Sequence, residues 1–149
     1  MTNFLIAFQA TQEFTEGLAL ALGLGAVQRG GNIRLRHLSP PEATHLAHQG
    51  YGRLKAEDVA WAECLVVGIE TGEPNADMEE LLRVIREYAD RDALAARRVF
   101  VFGAHTAAVE FVREALRDSG IQSIEDDSAS LELSAERMMQ VGNRLAEMR

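Results

Sequence analysis

Short apolar runs, each followed by a longer stretch of helical periodicity, constrain this chain more than any other feature of its sequence. Asn3-Phe4-Leu5-Ile6-Ala7-Phe8 is brief and almost wholly apolar, as a buried strand is. Over residues 14–27, Phe14, Leu18, Ala21, Leu22 and Gly25 share one helical face, and Gly30-Gly31 supplies a stop. Ile33-Arg34-Leu35-Arg36-His37-Leu38 alternates apolar and polar residues, which predicts an edge strand with one wet face. Pro40-Pro41 ends that strand and opens a short helix over 41–48, and the glycine-bearing stretch 49–58 reads as a polar loop.

The densest apolar run, Ala62-Glu63-Cys64-Leu65-Val66-Val67-Gly68, suits a central strand covered on both faces. Residues 76–89 space Met78, Leu81, Leu82, Ile85 and Ala89 as one helical face with charges opposite. Arg98-Val99-Phe100-Val101-Phe102-Gly103 predicts another buried strand, followed by a helix over 106–118 that buries Ala108, Phe111, Val112, Ala115 and Leu116. Ser119-Gly120 closes that helix, Ile121-Gln122-Ser123-Ile124 makes a short fifth strand, and a last helix near 134–148 aligns Met138, Val141, Leu145 and Met148. Five β-α units with these crossover lengths predict an α/β fold of three layers: a doubly wound, five-stranded parallel sheet. At 149 residues, with 47% hydrophobic and 26% charged, one domain over 1–149 is expected.

Fifteen Lys and Arg against 23 Asp and Glu give a net charge of −8. That balance argues against contact with the phosphate backbone of nucleic acid and against docking on anionic lipid, and it suits a basic partner surface. No apolar run approaches the roughly 20 residues of a membrane span. The start Met1-Thr2-Asn3-Phe4 lacks the basic opening of a signal peptide, and the single Cys64 fits a reducing compartment, so a cytoplasmic location is expected. Cys64 itself, inside an apolar strand, reads as an inert core thiol.

In an open α/β sheet, ligands bind beyond the carboxyl ends of the strands, where the strand order reverses. For the order 2-1-3-4-5 that point lies between the first and third strands, and it directs attention to residues 9–15, 69–77 and 104–108. The first loop reads Gln9-Ala10-Thr11-Gln12-Glu13-Phe14-Thr15-Glu16; Thr11 and Thr15 can donate hydroxyls to a phosphate at a helix N-terminus, or cap the helix. The second, from Gly68 to Ala76, is long and polar, with Pro74 and Asn75 also suited to a turn and helix start. The third, Gly103-Ala104-His105-Thr106, places an imidazole at the same edge, as a local hydrogen-bond partner or as a catalytic group. Gly23-Leu24-Gly25 lies late in a helix with Gln28 in the third position, so it is not a dinucleotide fingerprint. His45 and His48 are spaced to share a metal but lack a third ligand.

The segment Ala56-Glu57-Asp58-Val59-Ala60-Trp61-Ala62-Glu63-Cys64-Leu65-Val66-Val67-Gly68 is similar to a stretch of the flavodoxin-like superfamily. There an acidic residue and a small helix precede a buried strand ending in glycine. With the β-α pattern and the loop positions, nearly the whole chain resembles that superfamily, including its NAD(P)H:quinone oxidoreductase branch. Gly68 and Gly103 match the glycines that end the third and fourth strands, while Thr71 and Asn75 match a flavin-loop threonine and the asparagine before the next helix. The resemblance implies FMN as cofactor. Gln9, Thr11, Gln12 and Thr15 would surround its phosphate; Thr71, Gly72, Asn75, His105 and Thr106 would face its ring or ribityl chain. The chain also departs from the pattern. Gln9 and Gln12 replace a hydroxyl residue and a glycine of the phosphate loop, and Glu70 replaces a proline.

Two functions follow. One is an FMN-binding redox protein, either an electron carrier meeting a basic protein partner or a small NAD(P)H-dependent quinone or flavin reductase, with a subunit interface supplying a second pocket. The other is a flavin-free binding or interaction module of the same fold with an eroded cofactor site. A phospho-receiver is excluded, because Phe8-Gln9 and Gly68-Ile69 stand where a receiver needs an acidic pair and an aspartate.

Overall fold

The computed structural model of the chain describes residues 2–10, 13–38, 51–70, 76–89, 97–124 and 134–148, with the side chains of Glu13 and Asp118 left aside. Five strands, β1 (Asn3–Gln9), β2 (Asn32–His37), β3 (Cys64–Ile69), β4 (Arg98–Gly103) and β5 (Gln122–Ile124), form one sheet in the order β2-β1-β3-β4-β5. Every pairing is parallel. The helices are α1 (Glu13–Gln28), α2 (Ala56–Trp61), α3 (Ala76–Ala89), α4 (Thr106–Leu116) and α5 (Ala135–Glu147), with a 3-10 turn over Arg117–Ser119.

The period of two along each strand builds two cores. Leu5, Ala7, Leu65, Val67, Val99 and Val101 face a layer made by α2, α3 and α4. Phe4, Ile6, Phe8, Cys64, Val66, Phe100 and Phe102 face α1 and α5. All six residues of β3 are buried, as its continuous apolar run predicts. Burial pushes the Cys64 thiol up to about 12, and the charge of Arg98 only partly opposes that rise.

Helices α1 and α5 cross at a pair of glycines. A Cβ on Gly25 would lie 2.0 Å from the Met139 carbonyl oxygen, and one on Gly142 would lie 2.0 Å from that of Leu22. Across the same crossing the Asn143 amide donates to the Gly25 carbonyl at 2.6 Å. Gly25 thus serves close helix packing.

Several sequence expectations are corrected. Phe14 and Phe111, both placed on buried faces above, are 56% and 53% exposed. On α4 the buried face runs through Ala108, Val109, Val112 and Leu116, and Phe111 falls on its flank. On α1 the side shared by Phe14 and Gly25 is covered where α5 crosses, around Leu22 and Ala26, more than two turns beyond Phe14. The loop expected over 49–58 gives way to α2 at Ala56. The short helix expected over 41–48, and with it His45 and His48, lies outside the described residues.

The wet face expected of β2 is also overturned. Asp58, 1% exposed, accepts hydrogen bonds from Arg36 Nε at 2.9 Å and Arg34 Nη1 at 3.2 Å. It also accepts from the Lys55 backbone N–H at 2.9 Å, which closes the first turn of α2. The Arg34 guanidinium lies 4.1 Å over the Trp61 ring. Burial alone would raise the Asp58 carboxyl, but the Arg36 hydrogen bond, with the Lys55 and Arg34 bonds behind it, holds it below the usual carboxylate value. The two arginines are therefore half-covered and tie β2 to α2.

Candidate functional site

Beyond β1, backbone hydrogen bonds join three strand ends. Leu38 N–H donates to the Phe8 carbonyl at 2.7 Å, and Glu70 N–H donates to the Gln9 carbonyl at 3.0 Å. The chain leaving β1 enters α1 on one face of the sheet, and the chain leaving β3 enters α3 on the other. The topological switch point, where a ligand crevice is expected, therefore lies at the carboxyl ends of β1 and β3.

The sequence-derived site residues fall into three groups. Gln9 ends β1, is 5% exposed and stands opposite Ile69 of β3. Thr15 is 4% exposed in the first turn of α1; the amides and dipole of a helix start attract an anion. His105 and Thr106 sit exposed at the start of α4, two strands along the same edge. His105 does not cap α4 with its side chain, and the first turn of α4 carries no acidic residue. Thr11, Gln12, Thr71, Gly72 and Asn75 lie outside the described residues.

At the β1 and β2 ends of this edge, residues the sequence reading passed over come together. The Tyr51 hydroxyl donates to Glu16 Oε2 at 2.6 Å, and His37 Nε2 donates to the Ala10 carbonyl at 2.8 Å. Both rings flank Phe8, with centroids 5.2 Å (Tyr51) and 5.4 Å (His37) from it. Burial, then the hydrogen bond and charge of Glu16, raise the Tyr51 phenol well above its ordinary value. One sequence signal could have found Glu16: between Gly17 and Gln28 α1 contains no charged residue, so the carboxylate before that stretch stands at the margin of an apolar helix.

A little further along, Phe102 lies over β3. A Cβ at Gly68 would meet its ring at 2.6 Å, so the glycine makes room for the aromatic side chain.

No family model and no curated protein sequence matches the chain. Solved structures do. The Streptococcus pneumonia TIGR4 flavodoxin superposes with a TM-score of 0.68 at 15% identity, over 97% of each chain. Flavodoxin 2 from Bacillus cereus gives 0.66 at 20% identity, over 97% of this chain and 98% of its own. A flavodoxin, WrbA-like protein from Agrobacterium tumefaciens gives 0.66 at 12% identity, over 98% and 96%. The chain has the flavodoxin-like fold. In this flavodoxin-like chain the strand order is the one the β-α pattern of the sequence predicts. Among the described residues no three His, Cys, Asp or Glu side chains gather as metal ligands, and no helix is long and apolar enough to cross a membrane.

Proposed function

We propose that the chain binds FMN at the carboxyl edge of β1 and β3 and acts as a redox protein. It would serve either as an electron carrier or as a small NAD(P)H-dependent quinone or flavin reductase. The observation that carries this reading is Thr15, a buried residue in the first turn of α1, the helix that follows β1 at the switch point. A donor set of a hydroxyl and helix N-terminal amides fits a phosphate. At the other end, the uncapped start of α4 with Thr106 and His105 offers donors of the kind that hold a ribityl chain or a ring edge. The resemblance to proteins described as flavodoxins, one of them in its oxidised form, supports the same cofactor.

When bound, FMN would supply the redox chemistry. The chain's own part is to hold and orient it. Thr15 and the α1 amides would fix the phosphate, while Gln9, buried at the end of β1, borders the crevice. The net charge of −8 favours a basic protein as redox partner, by steering as well as by contact.

A flavin-free interaction module is the second reading, and one observation favours it. Glu16 places a carboxylate, 1% exposed, one residue beyond Thr15. A carboxylate and a phosphate dianion repel unless a donor intervenes.

The test is an absorption spectrum of the purified protein, followed by titration of the apoprotein with FMN. Flavin bands, or fluorescence quenched at one equivalent, support the first reading and justify NAD(P)H oxidation assays. No bands and no quenching at micromolar FMN refute it in favour of the second.

A further inference from the structure

The connection from β1 to α1 carries no glycine: residues 9–16 read Gln-Ala-Thr-Gln-Glu-Phe-Thr-Glu. A turn that must approach a phosphate closely therefore lacks the backbone freedom that glycine supplies. Two side chains from elsewhere hold the described residues on either side of it. His37, the last residue of β2, donates to the Ala10 carbonyl, which is buried where the chain leaves β1. Tyr51 donates to the buried Glu16 carboxylate in the first turn of α1. Phe8 backs both rings, so the two donors share one rigid support at the end of β1.

We propose that His37 and Tyr51 are positioning residues for the flavin phosphate. His37 fixes the point at which the chain leaves β1, and Tyr51 holds the Glu16 carboxylate so that α1 can present its amides and Thr15 to an anion. The inference rests on the FMN reading and adds to it. Its sign follows from charge. The Tyr51 hydroxyl takes up part of the Glu16 charge, and without that donor the carboxylate stands less compensated in the turn that receives the phosphate. The raised phenol keeps its proton at ordinary pH, so the donor persists. The cost of losing it falls on the phosphate and spares the isoalloxazine ring, so FMN and riboflavin should respond differently.

The experiment measures dissociation constants of the whole apoprotein for FMN and for riboflavin by fluorescence quenching. Wild type is compared with Tyr51→Phe, His37→Phe and His37→Gln. Tyr51→Phe keeps the ring against Phe8 and removes the donor, His37→Phe keeps an aromatic ring there without the ring nitrogens, and glutamine restores a donor near the place of Nε2. Tyr51→Phe and His37→Phe are expected to weaken FMN by about tenfold, the worth of one charge-assisted or buried hydrogen bond, and riboflavin by less than about twofold. His37→Gln should recover most of the FMN affinity. Equal losses for both flavins, or an unchanged FMN constant, overturn the proposal, because a merely structural role moves both alike.

Amide hydrogen exchange over residues 13–18 of the flavin-free protein reports on the grip alone. Faster exchange in Tyr51→Phe at an unchanged melting temperature supports it, and unchanged exchange overturns it. A wild-type protein that binds neither flavin refutes the FMN reading and the phosphate role together. Flavin binding with no difference between the variants refutes only the positioning.

Discussion

The α1–α5 crossing gives the sharpest stability prediction, because one helix contains both the test and its control. In Gly25→Ala the new Cβ would sit 2.0 Å from the Met139 oxygen, 2.9 Å from the Met139 carbonyl carbon and 3.1 Å from Asn143 N. The nearest of these is roughly 1.5 Å short of the ~3.5 Å at which non-bonded atoms pack. All three are backbone atoms, so no rotamer change relieves the clash, and α5 must move as a body. Overpacking of this kind costs about 1–3 kcal/mol, and backbone neighbours put the cost at the upper end. Alanine returns about 1 kcal/mol of helix propensity, which leaves a net loss of about 2 kcal/mol. In Gly17→Ala, on the same helix, nothing lies within 4 Å of the added Cβ. That variant keeps the propensity gain without a clash and should be about 1 kcal/mol more stable. For a chain of this size the melting temperature should fall by about 6 °C in the first and rise by about 3 °C in the second. Urea unfolding at fixed m-value provides the assay. Gly25→Ala as stable as wild type, or stabilised alongside Gly17→Ala, would refute the close crossing.

Further outcomes follow from the core and the site. Asp58→Asn should cost about 2 kcal/mol, since hydrogen bonds to charged groups are lost and Arg34 is partly solvent-screened. The folded carboxyl lies below its unfolded value of about 3.9, so its contribution is complete at neutral pH and disappears as pH falls below about 4. The urea midpoint of Asp58→Asn should therefore fall less than that of wild type between pH 5 and 3; parallel curves would contradict the assignment. Cys64 should resist a thiol reagent at pH 8 in the native protein and react once in denaturant, and rapid native labelling would show that β3 is accessible. Phe111→Ser should change stability by no more than about 0.5 kcal/mol, while Val112→Ala, one residue along, should cost about 2 kcal/mol. Thr15→Val should weaken FMN by about 1–3 kcal/mol in the quenching titration, and an unchanged constant would remove Thr15 from the phosphate site.

Local pattern carried the fold. A strand covered on both faces needs an unbroken apolar run, and Cys64-Leu65-Val66-Val67 has one; α3 shows its buried Met78, Leu81, Leu82 and Ile85 at helical spacing. Partners distant in sequence were not legible. Arg34 and Arg36 look like the solvent face of an edge strand until Asp58, more than twenty residues later, folds against them. Tyr51 reads as a loop residue because its acceptor Glu16 is 35 positions away. Phe111 was misplaced for a different reason: periodicity shows that a helix has an apolar side, but a large flank residue draws the apparent centre of that side toward itself. The places of Thr15 and His105 at the carboxyl edge of the sheet could be read from the order of elements, because a switch point follows from topology alone. The Phe8–His37–Tyr51 cluster depends on three separate segments meeting, which no window of sequence contains.

The arginines of β2 also bear on how the molecule behaves in a crowd. Asn32 and Leu38 both donate their backbone N–H groups toward the β1 side, so the backbone groups of the even positions point inward and those of Leu35 point to the outer edge of β2, which pairs with no other strand among the described residues. A bare rim strand is a template on which a neighbouring chain can add a strand, and growth of that kind ends in aggregate. Here the Arg36 side chain donates to the Leu35 carbonyl at 3.0 Å while Asp58 holds its other nitrogens. An acceptor that an incoming strand would need is already occupied, and a fixed cation stands in its path. The ion cluster that fastens α2 to the sheet thus also occupies a backbone acceptor that strand addition at β2 would need.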